Sequence, residues 1–293
     1  MRWKRVTLVG VGLLGGSLGL ALRQRRLAGS VVGYVRRTAS IAECTRAGAV
    51  ERATCDLLQA VEGADLIVLC TPLAQMRALA EQMLPALKRG VIVTDVGSVK
   101  ASVVQGLESL VAGTGACFVA SHPMAGSEKP GVAAASGDLF EGAVCVVTPT
   151  RNSNAAALRK VEQLWHSVGG RPLRLTPELH DDLVSRSSHL PYLVAAALTN
   201  LVLSPAHPKE QALLCASGFR DTTRIASGSP EMWRDIALAN RKYLAAALEV
   251  LISELQGVRR HLRKGQAETL AAYFAQAKLR RGQWLAQPKN LNP

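Results

Sequence analysis

The segment Gly10-Val11-Gly12-Leu13-Leu14-Gly15 follows the apolar run RVTLV and opens a stretch with helical spacing. In that context a G-x-G-x-x-G pattern is chemistry for holding phosphate. Gly10 permits a tight turn, Gly12 lets the backbone approach a pyrophosphate, and Gly15 lets helix and strand pack closely. Free amides at the helix start, including those around Leu13 and Leu14, then face the anion together with the helix dipole. The next strand-like run, VVGYV, is followed by Arg36, Arg37 and Thr38. An NAD site would place Asp or Glu there for the ribose hydroxyls, whereas two guanidiniums suit a 2′-phosphate. The expected cofactor is NADP, with NAD as the alternative and ordinary solvated charge as the other reading of the arginines. Thr71 and Pro72, at the end of ADLIVLCTP, are expected to border the same cofactor.

Further segments have residue types that a fold alone does not require. These are TDVGSVK (94–100), SHPMAGSEKPG (121–131), SSHLPY (187–192) and SGFRDTTRIASGSPEMWRDI (217–236). Imidazole is the side chain best poised to accept a proton near neutral pH, and Arg binds carboxylates in a bidentate fork.

The elements that must position them are legible as two textures. Up to residue 176, short apolar runs alternate with helical stretches: RVTLVGVG, VVGYV, ADLIVLCTP, a helix over 73–87, VIVTDVG, CFVASHP, AVCVVTP, a helix over 155–168 and a last strand over 172–175. That is an α/β pattern for a doubly wound, Rossmann-type parallel sheet, whose strand ends face the ligand crevice and would place 94–100 and 121–131 beside a nicotinamide. From 177 onward the periodicity is helical, over 178–203, 207–216, 230–256 and 265–281, without a convincing strand. Two domains are expected: 1–176 for the dinucleotide, and 177–293 as an all-helical substrate and dimerisation domain. LAAALEVLISEL (244–255) is more apolar than a lone surface helix requires, so the second domain is predicted to form a homodimer.

Composition removes other classes. With 48% hydrophobic and 19% charged residues over 293 positions, the chain is too apolar for disorder and calls for a packed core. Basic residues outnumber acidic ones 35 to 22, and Arg259 onward is locally basic with Glu268 as its one acid. Only four each of Trp, Tyr and Phe are present, which gives little support to base stacking, so no nucleic-acid partner is expected. The positive field would favour small anionic substrates. Six cysteines lie at least 11 residues apart, so no CxxC pair seeds a metal site, and buried thiols in a cytoplasmic protein are expected. The run 192–203 is too short to span a bilayer, so no membrane partner is expected.

Taken together and in order, GVGLLGGS and these four segments resemble the prephenate and arogenate dehydrogenase family of tyrosine biosynthesis. The resemblance implies oxidative decarboxylation of a cyclohexadienol. C4 loses hydride to NAD(P)+, its hydroxyl becomes the phenolic oxygen, and the ring carboxylate leaves as CO2, giving 4-hydroxyphenylpyruvate or tyrosine. By resemblance His122 is the catalytic histidine and Ser98 the serine that orients the reacting hydroxyl. Arg224 would bind the side-chain carboxylate, Ser127 and Glu128 would flank the substrate and its entrance, and Trp233 and Asp221 would support the arginine. Arg220 is either a second cation or a surface salt bridge. His189 matches the first histidine of a frequent HLPH pattern, while the second is Tyr192 here, which leaves the choice between prephenate and arogenate, and tyrosine feedback, open. The competing enzyme class is another NADP-dependent reductase of this architecture, a β-hydroxyacid dehydrogenase or imine reductase, which would carry Lys or Asp where this chain has His189.

Overall fold

A computed structural model describes residues 2–127 and 129–286. β1 (Trp3–Val9), β2 (Ala28–Tyr34), β3 (Arg52–Thr54), β4 (Leu66–Leu69), β5 (Ile92–Asp95) and β6 (Cys117–Phe118) form a parallel sheet in the order β3-β2-β1-β4-β5-β6. The intervening helices are α1 (Leu13–Gln24), α2 (Thr38–Arg46), α3 (Leu57–Val61), α4 (Leu73–Met83) and α5 (Ala101–Ala112). The strands are apolar without alternation because both faces are covered. Leu8, Leu18, Leu22 and Val68 pack in one core with Phe140 and Trp165, and Val9, Ile67, Leu69, Met76 and Leu107 pack in another.

The run CFVASHP, expected as one strand, divides. After β6 the chain leaves the first sheet and β7 (Ala120–Pro123) joins β8 (Val144–Thr148) and β9 (Arg171–Arg174) in a second sheet, antiparallel to β8, while β8 and β9 run parallel. The cause is local. Cys117 N and Val119 N bond to Val91 O and Val93 O in parallel fashion. The next amide, Ser121 N, instead donates to Asp95 Oδ1 at 3.1 Å, and Ser121 Oγ donates to the Asp95 carbonyl oxygen at 2.7 Å. A carboxylate thus ends the ladder and frees β7 to pair elsewhere. α6 (Ala155–Ser167) links β8 to β9, its start capped by Asn154.

From Pro177 the chain is helical. α7 (Pro177–Val184) is capped by Thr176 and runs through a π turn (Ser185–His189) into α8 (Leu190–Val202). The helix expected over 207–216 shrinks to α9 (Glu210–Leu213), beside which Leu213 and Leu214 stay exposed and supply no burial to extend it. Residues expected as a connector form α10 (Ser217–Thr223) and a 3-10 turn (Arg224–Ser227). The helix expected over 230–256 breaks at Asn240, whose φ of −105° and ψ of 21° leave the helical region, giving α11 (Pro230–Ala239) and α12 (Arg241–Arg263). α13 (Ala267–Ala286) follows and packs on α12.

By packing, the chain forms two compact units, Met1–Asn240 and Arg241–Pro293, so α7 to α11 belong with the sheets. α12 and α13 leave large apolar side chains exposed, among them Val250, Leu255, Phe274, Leu279 and Trp284. Of the cysteines, Cys44 and Cys145 are buried, Cys70, Cys117 and Cys215 are half-buried and Cys55 is exposed, so the expected burial holds for part of the set and not for Cys55. No helix among the described residues is long and apolar enough to cross a membrane.

Candidate active site

The turn between β1 and α1 has the shape a pyrophosphate needs. Gly10 sits at φ +97°, and a Cβ there would lie 2.9 Å from Cys70 O, so only glycine fits. A Cβ on Gly15 would run into Gly10 O, which is the close helix–strand approach the motif implies. Gly12 is different: nothing lies within 4 Å of where its Cβ would be. It is also the N-cap of α1, where no side chain among the described residues caps the first-turn amides around Leu13 and Leu14 and the first turn itself contains no acid. Open space, free amides and the positive end of a helix coincide, and a dinucleotide phosphate fits there. At the rim, Thr71 Oγ1 is buried without a partner among the described residues, and Pro72 is the N-cap of α4. Gly10 N bonds Tyr34 O at 3.0 Å, which brings the end of β2 alongside the turn. Arg36, Arg37 and Thr38, just beyond it, are exposed.

At the carboxyl ends of β5 and β7 the chain builds a dry, fully bonded seat. Lys100 and Asp95 form an ion pair whose side chains are both 0% exposed. Lys100 Nζ also donates to Ser121 O at 2.8 Å, and Asp95 Oδ2 accepts Gly97 N at 2.8 Å. One carboxylate therefore fixes both Gly97, which precedes the half-buried Ser98, and Ser121, which precedes His122. Burial pushes the Lys100 ammonium below its ordinary range, opposed by Asp95 and Asp181.

His122 is buried, with Nδ1 2.8 Å from His180 Nε2, and His180 Nδ1 lies 2.7 Å from Asp181 Oδ1. Asp181 also accepts the amides of Lys100 at 2.7 Å and Ala101 at 2.8 Å, where α5 begins. The Asp181 carboxylate acts as an acceptor toward both amides, and accepting the third contact as well makes His180 donate from Nδ1 and accept at Nε2. His122 must then donate from Nδ1, which leaves its Nε2 lone pair for chemistry. Burial, and then His180, Lys100 and His189, hold His122 well below the usual imidazole range, so it is neutral and able to accept a proton.

His189 has the opposite polarity. It closes the π turn, is 2% exposed, and its Nδ1 lies 3.0 Å from Asn240 Nδ2. The Asn240 amide also donates to Asp181 O at 2.9 Å. Because the amide donates, His189 Nδ1 accepts and Nε2 carries the hydrogen, which has no partner among the described residues. Burial lowers its pKa to about 4, with Asp181 opposing and His180 adding. Trp233 stands edge-on to His189 at 6.2 Å and stacks on Tyr192 at 3.7 Å and 9°. A Cβ on Gly228 would lie 2.5 Å from Trp233 Nε1, so the indole also backs the turn that carries Arg224.

The remaining expected residues lie in open segments. Arg224 starts the 3-10 turn, which packs on α8, and with Arg220, Phe219 and Thr223 it lines an open cavity of about 430 Å³. Ser127 is exposed and its Oγ accepts Lys129 N at 3.1 Å in a local turn. Glu128 lies outside the described residues. Asp95, Lys100, His180, Asp181 and Asn240 were missed as site residues by sequence reasoning. The available signals were an acid closing an otherwise apolar strand and the His-Asp pair in the first helix after Pro177.

A parallel sheet in 3-2-1-4-5-6 order with a phosphate turn after β1 defines a Rossmann-type dinucleotide-binding protein. Residues 18–173 match the family model for the prephenate dehydrogenase nucleotide-binding domain, and 176–276 match that for the prephenate dehydrogenase dimerization domain. The chain belongs to the prephenate dehydrogenase family. It is 32% identical to a prephenate dehydrogenase of Bacillus subtilis over 93% of this chain and 74% of that protein. It is 31% identical to a cyclohexadienyl dehydrogenase of Zymomonas mobilis over 94% of each. The crystal structure of prephenate dehydrogenase from Aquifex aeolicus with hydroxyphenyl propionate and NAD+ superposes with a TM-score of 0.91 at 32% identity, over 97% of this chain and 99% of that one. The dimerization-domain match agrees with the homodimer expected from the apolar helical faces.

Proposed function

We propose that the protein catalyses NADP-preferring oxidative decarboxylation of prephenate, arogenate or both, yielding 4-hydroxyphenylpyruvate or tyrosine. The observation that carries this reading is the neutral, buried His122 with its Nε2 lone pair free, a general base at the carboxyl end of β7. When bound, the oxidised nicotinamide supplies the hydride acceptor. Gly10, Gly12, Leu13, Leu14, Gly15, Thr71 and Pro72 hold the dinucleotide, and Arg36, Arg37 and Thr38 receive the 2′-phosphate. His122 takes the C4 hydroxyl proton, and Ser98, on the loop that Asp95 anchors, orients that hydroxyl.

Arg224 pairs with the side-chain carboxylate, and the unused Nε2–H of His189 donates to a substrate anion. Trp233 and Tyr192 form the aromatic wall beside His189, and Ser127 and Glu128 belong to the entrance segment. Tyr192, a neutral group where the family's HLPH pattern would place histidine, accommodates either the keto or the ammonium side chain. The Zymomonas relative's name, cyclohexadienyl dehydrogenase, supports acceptance of both acids.

The test is a matrix of initial rates with each acid and each dinucleotide, for wild type and Arg36→Ala. Expected are a higher kcat/KM with NADP+ and, in the variant, a loss of about tenfold with NADP+ alone, as one charge-assisted contact implies. Equal use of NAD+ would overturn the cofactor preference, and no turnover of either acid would overturn the reaction.

A further inference from the structure

The groups packed around His122 leave a problem for a general base. Lys100 from the loop after β5, His180 from α7 and His189 from the π turn all disfavour a positive charge on its ring, as does burial. The carboxylates of this frame, Asp95 and Asp181, are engaged by other donors, and Asp181 contacts His180, which in turn contacts His122. An imidazolium confined to His122 would be costly in this dry frame.

We propose that His180 and Asp181 form a proton relay behind His122, so that the charge acquired during catalysis settles on His180 beside the Asp181 carboxylate. The inference rests on the oxidative decarboxylation reading above. In the forward step the substrate O–H bond breaks and an N–H bond forms at His122 Nε2. The His122 Nδ1–H proton passes across the 2.8 Å contact to His180 Nε2, while His180 Nδ1–H remains on Asp181 Oδ1. The electron pair of the O–H bond becomes the second C–O bond as C4–H leaves with its pair as hydride to the oxidised nicotinamide. When the ring C–CO2 bond then breaks, its pair flows through the ring to that oxygen, which takes the proton back along the same path. No net proton is consumed or released, and no further reactant is needed.

His180 is in this sense a positioning residue, since it reaches the substrate only through His122. Its second role, receiving charge, separates it from a purely structural contact. Glutamine can accept the His122 Nδ1–H but cannot take a proton, so His180→Gln preserves orientation and removes the relay. In the intact enzyme, this variant is expected to keep KM within about twofold and to lose about tenfold or more in kcat. The acidic limb of its kcat–pH profile should change, because the limb then reports His122 alone instead of the coupled pair.

A second readout needs no substrate: nitrogen-15 NMR of the ring nitrogens in wild type. It should show His122 and His180 as Nδ1–H tautomers and His189 as Nε2–H. A kcat and pH profile unchanged in His180→Gln would overturn the relay, and so would an Nε2–H tautomer at His122. Failure to turn over either acid would instead overturn the reaction assigned above, and the tautomer measurement would still decide the relay geometry.

Discussion

Around His122, side chains from β5, β7 and α7 are buried and bonded to one another, from the Asp95–Lys100 pair to the His180–Asp181 contact. Around Arg224 the chain is a short exposed turn at the edge of an open cavity shared with Arg220. In the function proposed above, the two regions divide the labour. A proton acceptor must be held within tenths of an ångström and kept dry, and strand ends with a buried ion pair can do that. A carboxylate clamp needs reach and charge more than rigidity, and a solvated helical turn supplies both.

The largest expected effect breaks the rigid side of this contrast. Lys100→Met leaves the Asp95 carboxylate buried and unpaired beneath Ser121, and should cost about 3–5 kcal/mol of stability in denaturant unfolding. A loss within 0–1 kcal/mol, the scale of an exposed pair, would remove the distinction between the two regions. Next is His122→Asn, which keeps a polar side chain but removes the base. Steady-state kinetics should show kcat lower by about 100-fold or more with KM little changed. The smallest effect sharpens the flexible side: Arg224→Ala should raise KM for the acid about tenfold and leave kcat within a few-fold, because it removes binding common to ground and transition states. If kcat fell with KM unchanged, the arginine would belong to the rigid region in function despite its exposure.

Legibility in the sequence followed the range of the interactions. The phosphate turn is local, so six consecutive positions carried its whole logic, and the change to helices at Pro177 showed in periodicity alone. His122 and Ser98 were legible by resemblance, yet what holds them was not. Asp95 and Ser121 are separated by 26 positions, His122 and His180 by 58, and His189 and Asn240 by 51, and no spacing rule connects such partners. The splitting of CFVASHP was hidden for the same reason, since a side chain of another strand ends the ladder there. The break at Asn240 interrupts an unbroken helical pattern because its amide is taken by Asp181 O and His189.

The π turn at Ser185–His189 sets the phase of everything after it in α8. A regular helix advances about 100° per residue, and a π turn absorbs one residue more than a helical turn holds. Were the same five residues wound as an ordinary helix, the side chains that follow would swing about a quarter turn around the axis. His189 and Tyr192 would then face the wrong way without a change in their identity. The wide turn therefore lets one additional residue sit ahead of α8 while His189 and Tyr192 keep their facing.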